Sequence, residues 1–241
     1  MNDEQKKNFE EIQKSLKELE EIISKTNLYD IKDITNTVAK ASRVYEKFPD
    51  SEKVANLYVS TLNTLAKRQF GLVDVMTTTA KIHSIYEKFP ESEDIAMEYV
   101  RILRILSLIQ DSLADVTVTV AKVSDIYEKF PKSEDIAYTY VSTLSTLAMI
   151  QASQADVTAT VAKASDIYEK FPKSEAVAYV YVTTLVYLAS RQGTKQDLME
   201  TFTEVINIYK RFSKNEHISS AFAAVISESV SYTHLRAHET E

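Results

Sequence analysis

An all-α solenoid of about five antiparallel helix pairs is the fold class that this sequence predicts. Three observations carry it. One hexapeptide returns at a fixed interval, two helix-start signals return with it, and residues that make tight turns are scarce. "IYEKFP" occupies Ile85 to Pro90, Ile126 to Pro131 and Ile167 to Pro172, with a near copy ending at Pro49 and a worn one, "IYKRFS", ending at Ser213. Each step is 41 residues, without insertions. A constant period of roughly 20–50 residues is the signature of stacked supersecondary units, each burying its apolar face against the next. A catalytic motif, by contrast, is written once.

Composition narrows the class. The 241 residues contain only 2 Gly and 4 Pro, too few for the turns of an all-β chain. Apolar residues make up 44% and charged residues 26%, the balance of a globular protein. Cysteine is absent, which removes disulfides, thiolate metal sites and thiol nucleophiles together and fits a reducing compartment. Lys and Arg total 28 against 35 Asp and Glu, a formal net charge of −7. That balance disfavours a broad nucleic-acid or anionic-lipid footprint. The N-terminus lacks the apolar core of a signal peptide, and no run reaches the roughly 18 apolar residues of a membrane span. The expectation is a cytoplasmic protein with no membrane partner.

Two helices per period follow from the caps. Ser51, Ser92, Ser133 and Ser174 each stand two residues after a proline, and Glu52, Glu93, Glu134 and Glu175 follow them. Serine accepts a bond from an orphan N–H at a helix start, and an acid in the first turn complements the helix dipole. Asp33, Asp74, Asp115, Asp156 and Asp197 keep the same spacing and predict, as caps, the start of a second helix. In the unit from Ser133 to Pro172, helix A reads "EDIAYTYVSTLSTLAMIQ", with Ile136, Ala137, Tyr140, Val141, Leu144, Leu147 and Ala148 on one stripe. Helix B carries Val157, Val161, Ala164, Ile167, Tyr168 and Phe171, and "QASQA" forms the turn between them. Gly71 and Gly193 fall in the equivalent turn of two other units, where a helix C-terminus favours glycine. Threonine-rich "DVTVTVAK" would also suit a strand, but the period and the caps outvote it.

The hexapeptide then has a mechanical role. Ile and Tyr face the inside of helix B, and Glu and Lys face water. Phe is the last buried anchor, worth roughly 1.5–3 kcal/mol. Pro ends the helix, because it lacks an N–H and disfavours helical backbone at the residue before it.

Antiparallel helix pairs, with helix B ending in a bulky residue and Pro and the next helix A opening at once, resemble the tetratricopeptide repeat. The resemblance covers about residues 50 to 213, and the long repeat is similar to the long-helix variants of kinesin light chains. HEAT or armadillo-type packing is the less favoured neighbour. Tyr99-Val100 and Tyr140-Val141 stand where the family places a bulky residue followed by a small one. The implied fold is a right-handed α-α solenoid. The implied organisation is an N-terminal cap with a first degenerate repeat (1–49), and repeats at 50–90, 91–131, 132–172 and 173–213. A partial repeat (214–230) and a tail (231–241) follow. The first helix, with Ile12, Leu16, Leu19 and Ile23 on one side and Glu and Lys on the other, suits a cap. The tail "SYTHLRAHETE" resembles a translated sequencing-adaptor segment that recurs at the ends of metagenomic reading frames, so residues from about Ser231 are expected to be non-native. On that reading the natural protein is truncated here, and its further repeats or effector domain would be missing from this sequence.

Chemistry is sparse. His83 and His217 are far apart in sequence, no paired-His metal motif occurs, and the two glycines cannot build a phosphate loop. His234 and His238 have metal-compatible spacing but lie in the tail. No enzyme activity, cofactor or metal is expected. Tyr58, Tyr99, Tyr140 and Tyr181 share one repeat position, and Tyr86, Tyr127, Tyr168 and Tyr209 another, which points to identical packing. Functional information should lie where units differ, and helix A differs most. In the resembled family helix A lines a concave peptide groove. Its groove-facing positions here would be Asn56, Ser60, Asn63 and Lys67, then Met97, Arg101 and Arg104, then Tyr138, Ser142 and Ser145, then Tyr179 and Thr183. Arg101 and Arg104 share a face and, with Asn63 and Lys67, could clamp a carboxylate or phosphate; salt bridging to acids of the adjacent repeat, or simple solvation, is the competing use. The expected partner is a protein or peptide, with an anionic group in the clamp. The alternative is a sensor or oligomerisation arm of a longer regulatory protein, and self-association stays open. An RNA-reading repeat would need basic side chains in most units.

Overall fold

The computed structural model describes residues 3–224 and 226, and their regular structure is helical throughout. The tail reading from Ser231 onward, with His234 and His238, lies outside the described residues. A capping helix α1 (Asp3–Lys25) precedes five B helices and four A helices in alternation. The B helices are α2 (Ile31–Lys47), α4 (Leu72–Lys88), α6 (Leu113–Lys129), α8 (Gln154–Lys170) and α10 (Lys195–Arg211). The A helices are α3 (Glu52–Ala66), α5 (Glu93–Ile109), α7 (Glu134–Ile150) and α9 (Glu175–Ala189), and helix resumes at 216–224. No helix among the described residues is long and apolar enough to cross a membrane.

The chain divides into two units, up to residue 109 and from residue 110. In the first, α1 packs on α2 and α3, α2 on α3, α3 on α4 and α5, and α4 on α5. In the second, α6 packs on α7, α7 on α8 and α9, α8 on α9, and α9 on α10. Each is a stretch of all-α helical repeat in which neighbouring A helices touch. Ala55, Ala96, Ala137 and Ala178 recur in the first turn of each A helix and are fully buried. Fully buried Val54, Ile95, Ile136 and Val177 stand beside them.

The connection from each B helix to the next A helix is one repeated device. Phe48, Phe89, Phe130 and Phe171 end the B helices with non-helical backbone, their N–H groups still bonded into the last turn. Their carbonyls then accept from the backbone N–H of Ser51, Ser92, Ser133 and Ser174 at 3.0–3.1 Å. Proline occupies the second position of that four-residue turn, where its fixed φ is already correct. The serines start the A helices as expected, with Ser51 and Ser174 accepting from the N–H of Val54 and Val177. The worn copy keeps the turn: Phe212 accepts from Asn215, and Asn215 caps the last helix.

Three expectations are corrected. The periodic aspartates lie in the first turn, three residues inside the helix start. The caps are Asp30, Gly71, Ser112, Ser153 and Thr194, and the last three hold the N–H of Asp115, Asp156 and Asp197. The B helices therefore begin earlier, and the turn before α8 shrinks to residues 151–153. Neither glycine has positive φ. Gly71 caps the N-terminus of α4, and a Cβ there would come within 3.1 Å of the Asp74 carboxylate. Phe89, Phe130 and Phe171 are only half-buried, whereas Phe48 and Phe212 are buried; Ile85, Ile126, Ile167 and Ile208, with Tyr86 and Tyr127, are the deeper anchors. Phe130→Ala is accordingly expected to cost about 1–2 kcal/mol in urea unfolding, below the roughly 3–5 kcal/mol of a fully buried Phe.

Two ladders of identical contacts hold B helices to A helices. Tyr45, Tyr86, Tyr127 and Tyr168 lie against Tyr58, Tyr99, Tyr140 and Tyr181 with ring centroids 5.2–5.5 Å apart, and Tyr209 lies against Phe222. At the opposite ends, buried Thr78, Thr119, Thr160 and Thr201 donate to the side-chain oxygens of Gln69, Gln110, Gln151 and Gln192 at 2.9–3.1 Å. Those glutamines keep the 41-residue spacing, yet neither the caps nor the apolar pattern marks them. Other threonines, such as Thr117 and Thr158, bond the carbonyl four residues back, which reconciles a β-favouring composition with helix.

The tyrosine ladder makes stability sensitive to alkali. Burial, reinforced by Tyr86 and Glu87, pushes the Tyr99 phenol up to about 12, and burial raises Tyr45, Tyr140 and Tyr181 as well. In the unfolded chain the phenol ionises near pH 10. Its contribution is therefore complete below pH 10 and is lost as pH rises through about 12. The urea midpoint should fall across that window, and Tyr99→Phe should flatten the fall. An unchanged slope in that variant would refute the assignment.

Candidate functional site

The predicted helix A residues divide between the two units. In the first unit, Asn56, Ser60 and Asn63 lie on α3, with Lys67 as its C-terminal cap, and Met97, Arg101 and Arg104 on α5. Lys67 is exposed, Asn63 is buried, and the other five are half-buried. Asn63 Nδ2 donates to both the backbone carbonyl and the side-chain Oε2 of Glu98, each at 2.7 Å. Arg101 Nη1 meets the other oxygen, Oε1, at 2.8 Å. Glu98 is nearly buried, with 12% of its side chain exposed. The carboxylate facing Arg101 is thus the protein's own, and it ties α3 to α5. Asn63 Oδ1 is buried with no hydrogen-bond partner among the described residues.

In the second unit, Tyr138, Ser142 and Ser145 lie on α7, and Tyr179 and Thr183 on α9. Ser142 and Ser145 are buried, α7 being enclosed along most of its length, so neither is available at a surface. Thr183 turns its hydroxyl onto the Tyr179 carbonyl at 3.0 Å. Tyr138 and Tyr179 are half-buried and line one cleft of about 450 Å³ together with Glu175, Ala176, Asn215 and His217. The Tyr179 and His217 rings lie 5.5 Å apart. Asn215 Nδ2 donates to Glu175 Oε2 at 2.8 Å, while its Oδ1 accepts from the N–H of His217 and Ile218.

His217 had no sequence partner, since Tyr138 lies 79 residues earlier; only stacking of successive A helices brings the two to one cleft. His83 is instead a packing residue, stacked on Tyr99 at 5.3 Å with Nε2 3.5 Å from Glu87. No group of three or more His, Cys, Asp or Glu among the described residues is arranged to hold a metal ion. No protein-family model, curated protein or solved structure matches this chain.

Proposed function

We propose that this chain is a non-enzymatic scaffold that binds a protein or peptide segment along its A helices, in the cytoplasm and without a cofactor. One observation carries the reading. The apolar positions that repeat are core, whereas one A-helix position that does not repeat stays partly exposed in every unit. Asn56, Met97, Tyr138 and Tyr179 occupy one such position, each half-buried, in four successive repeats. Packing alone would favour one residue type there, as it does at the buried alanine. A preformed helical surface also loses little conformational entropy on binding. The same pairing of helices, with the Phe-Pro turn closing each unit, supports a tetratricopeptide-like kinship with its peptide-binding A row. An anionic ligand group at Arg101 would have to share or displace Glu98.

Selection of peptides from a random display library tests this. Binding should be lost in Met97→Ala or Tyr179→Ala and should survive Lys81→Glu and Lys122→Glu on exposed faces of B helices. The reverse pattern would overturn the reading.

A second reading, self-association through the first unit, rests on its own observation. Tyr29, Phe70 and Val73 are 87%, 94% and 76% exposed, and Leu28, Ile31 and Met76 beside them in sequence are each at least half exposed. Asp111, Ala152 and Gly193 replace the aromatic at Tyr29 and Phe70 in later repeats, so the fold does not require it. Exposed apolar clusters of this kind mark association surfaces. Sedimentation of the wild type against a Tyr29→Ser, Phe70→Ser variant decides it: a concentration-dependent dimer that the variant abolishes is the expected result.

A further inference from the structure

The geometry points to the Tyr138–Tyr179–His217 cleft as a receptor for a cationic side chain, the lysine or arginine of a bound peptide. The inference rests on the scaffold reading above and adds the chemistry of one subsite. Two half-buried tyrosine rings and an imidazole line the cleft, and among the described residues Glu175 is its one formally charged lining residue. Among the described residues, no Lys or Arg lines it. Aromatic faces attract cations through their quadrupole, and a carboxylate at the rim adds direct attraction. Glu175 is exposed, and its one hydrogen bond, from Asn215 to Oε2, leaves Oε1 without a protein donor among the described residues.

The competing occupant would be an anion, because α9 and the helix at 216–224 both begin at this cleft. Three of their first-turn donors are already engaged. Ser174 Oγ takes the Val177 N–H at 3.1 Å, and Asn215 Oδ1 takes those of His217 and Ile218 at 3.1 Å each. Glu175 itself stands in the first turn and opposes a second negative charge. The nearest acids in sequence, Asp135 one turn before Tyr138 and Glu216 beside His217, reinforce that sign, while Lys173 and Lys214 stay outside the lining. A volume of about 450 Å³ falls in the range of side-chain and small-ligand sites. Tyrosine at this repeat position is confined to residues 138 and 179, with Asn56 and Met97 earlier, so the rings are not a demand of the repeat.

Fluorescence anisotropy with labelled Gly-Ser peptides carrying three lysines, three trimethyl-lysines or three glutamates tests the subsite. Both cationic peptides should bind, the glutamate peptide at least about tenfold more weakly, and Tyr179→Leu and Glu175→Gln should each cost the cationic peptides roughly tenfold. Circular dichroism checks that both variants keep their helicity, and Glu175→Gln stands on an exposed residue if Tyr179→Leu unfolds. If display-selected peptides bind A helices but lysine peptides are indifferent to both substitutions, the cation subsite is wrong and the scaffold survives. If no peptide of either kind binds, both are wrong. Preference for the glutamate peptide would also overturn the inference.

Discussion

Tyr181→Ala is expected to lower the unfolding free energy by about 3–5 kcal/mol, the cost of truncating a fully buried aromatic. Tyr181 is 1% exposed, its ring lies 5.2 Å from that of Tyr168, and its hydroxyl donates to Glu204. The substitution therefore opens a cavity between α8 and α9 and takes from the Glu204 carboxylate on α10 its tyrosine donor. Tyr181→Phe separates the two effects. It keeps the stack and removes the charge-assisted hydrogen bond to Glu204 together with the contact to Ser165, so about 1.5–3 kcal/mol should be lost. Urea titration followed by far-ultraviolet circular dichroism measures both. A Tyr181→Ala loss no larger than that of Phe130→Ala would overturn the view that Tyr181 anchors its repeat more deeply than Phe130 anchors its own.

The second large effect is expected at the junction of α3 and α5. Asn63→Ala removes a buried amide that donates twice to Glu98, and a loss of about 2–3 kcal/mol should follow, because a nearly buried carboxylate is left with fewer donors. Arg101→Ala should cost under about 1 kcal/mol, since its side chain is 41% exposed and the pair lies within one helix turn. A double-mutant cycle between Asn63 and Glu98 should return a coupling of about 1–3 kcal/mol, and additivity would mean that the two do not interact. Glu98→Gln has a functional consequence as well. It releases the Arg101 guanidinium from its internal partner, so any peptide with an anionic group bound there should bind more tightly to the variant.

Much of the fold was legible because repetition amplifies weak signals. One Ser–Glu pair is a modest helix-start signal; four at constant spacing leave little else. Aspartate misled by three residues for a physical reason: an acid is favoured throughout the first turn by the helix dipole, so its presence locates a start only to within that turn. The phenylalanine misled because its burial depends on what packs over it: Phe48 is covered beside Leu16 of α1, whereas Phe89, Phe130 and Phe171 are half-buried. The Gln–Thr lock escaped because both residues are polar, and polar residues carry no burial signal until their partner is known.

The candidate surface divides in the same way. Which A-helix positions vary between repeats is a property of the sequence alone, and so are the period, the helix count per unit and the absence of thiol chemistry. Burial of Asn63, Ser142 and Ser145 is not, because small polar residues suit a groove and a helix contact equally well. Nor is the pairing of Arg101 with Glu98, or the meeting of Tyr138, Tyr179 and His217. Local order along the chain follows from short-range rules of capping, period and turn chemistry, which act over a few residues. Side chains 35 to 79 residues apart meet only after successive A helices stack, and that stacking is decided by how whole helix faces fit.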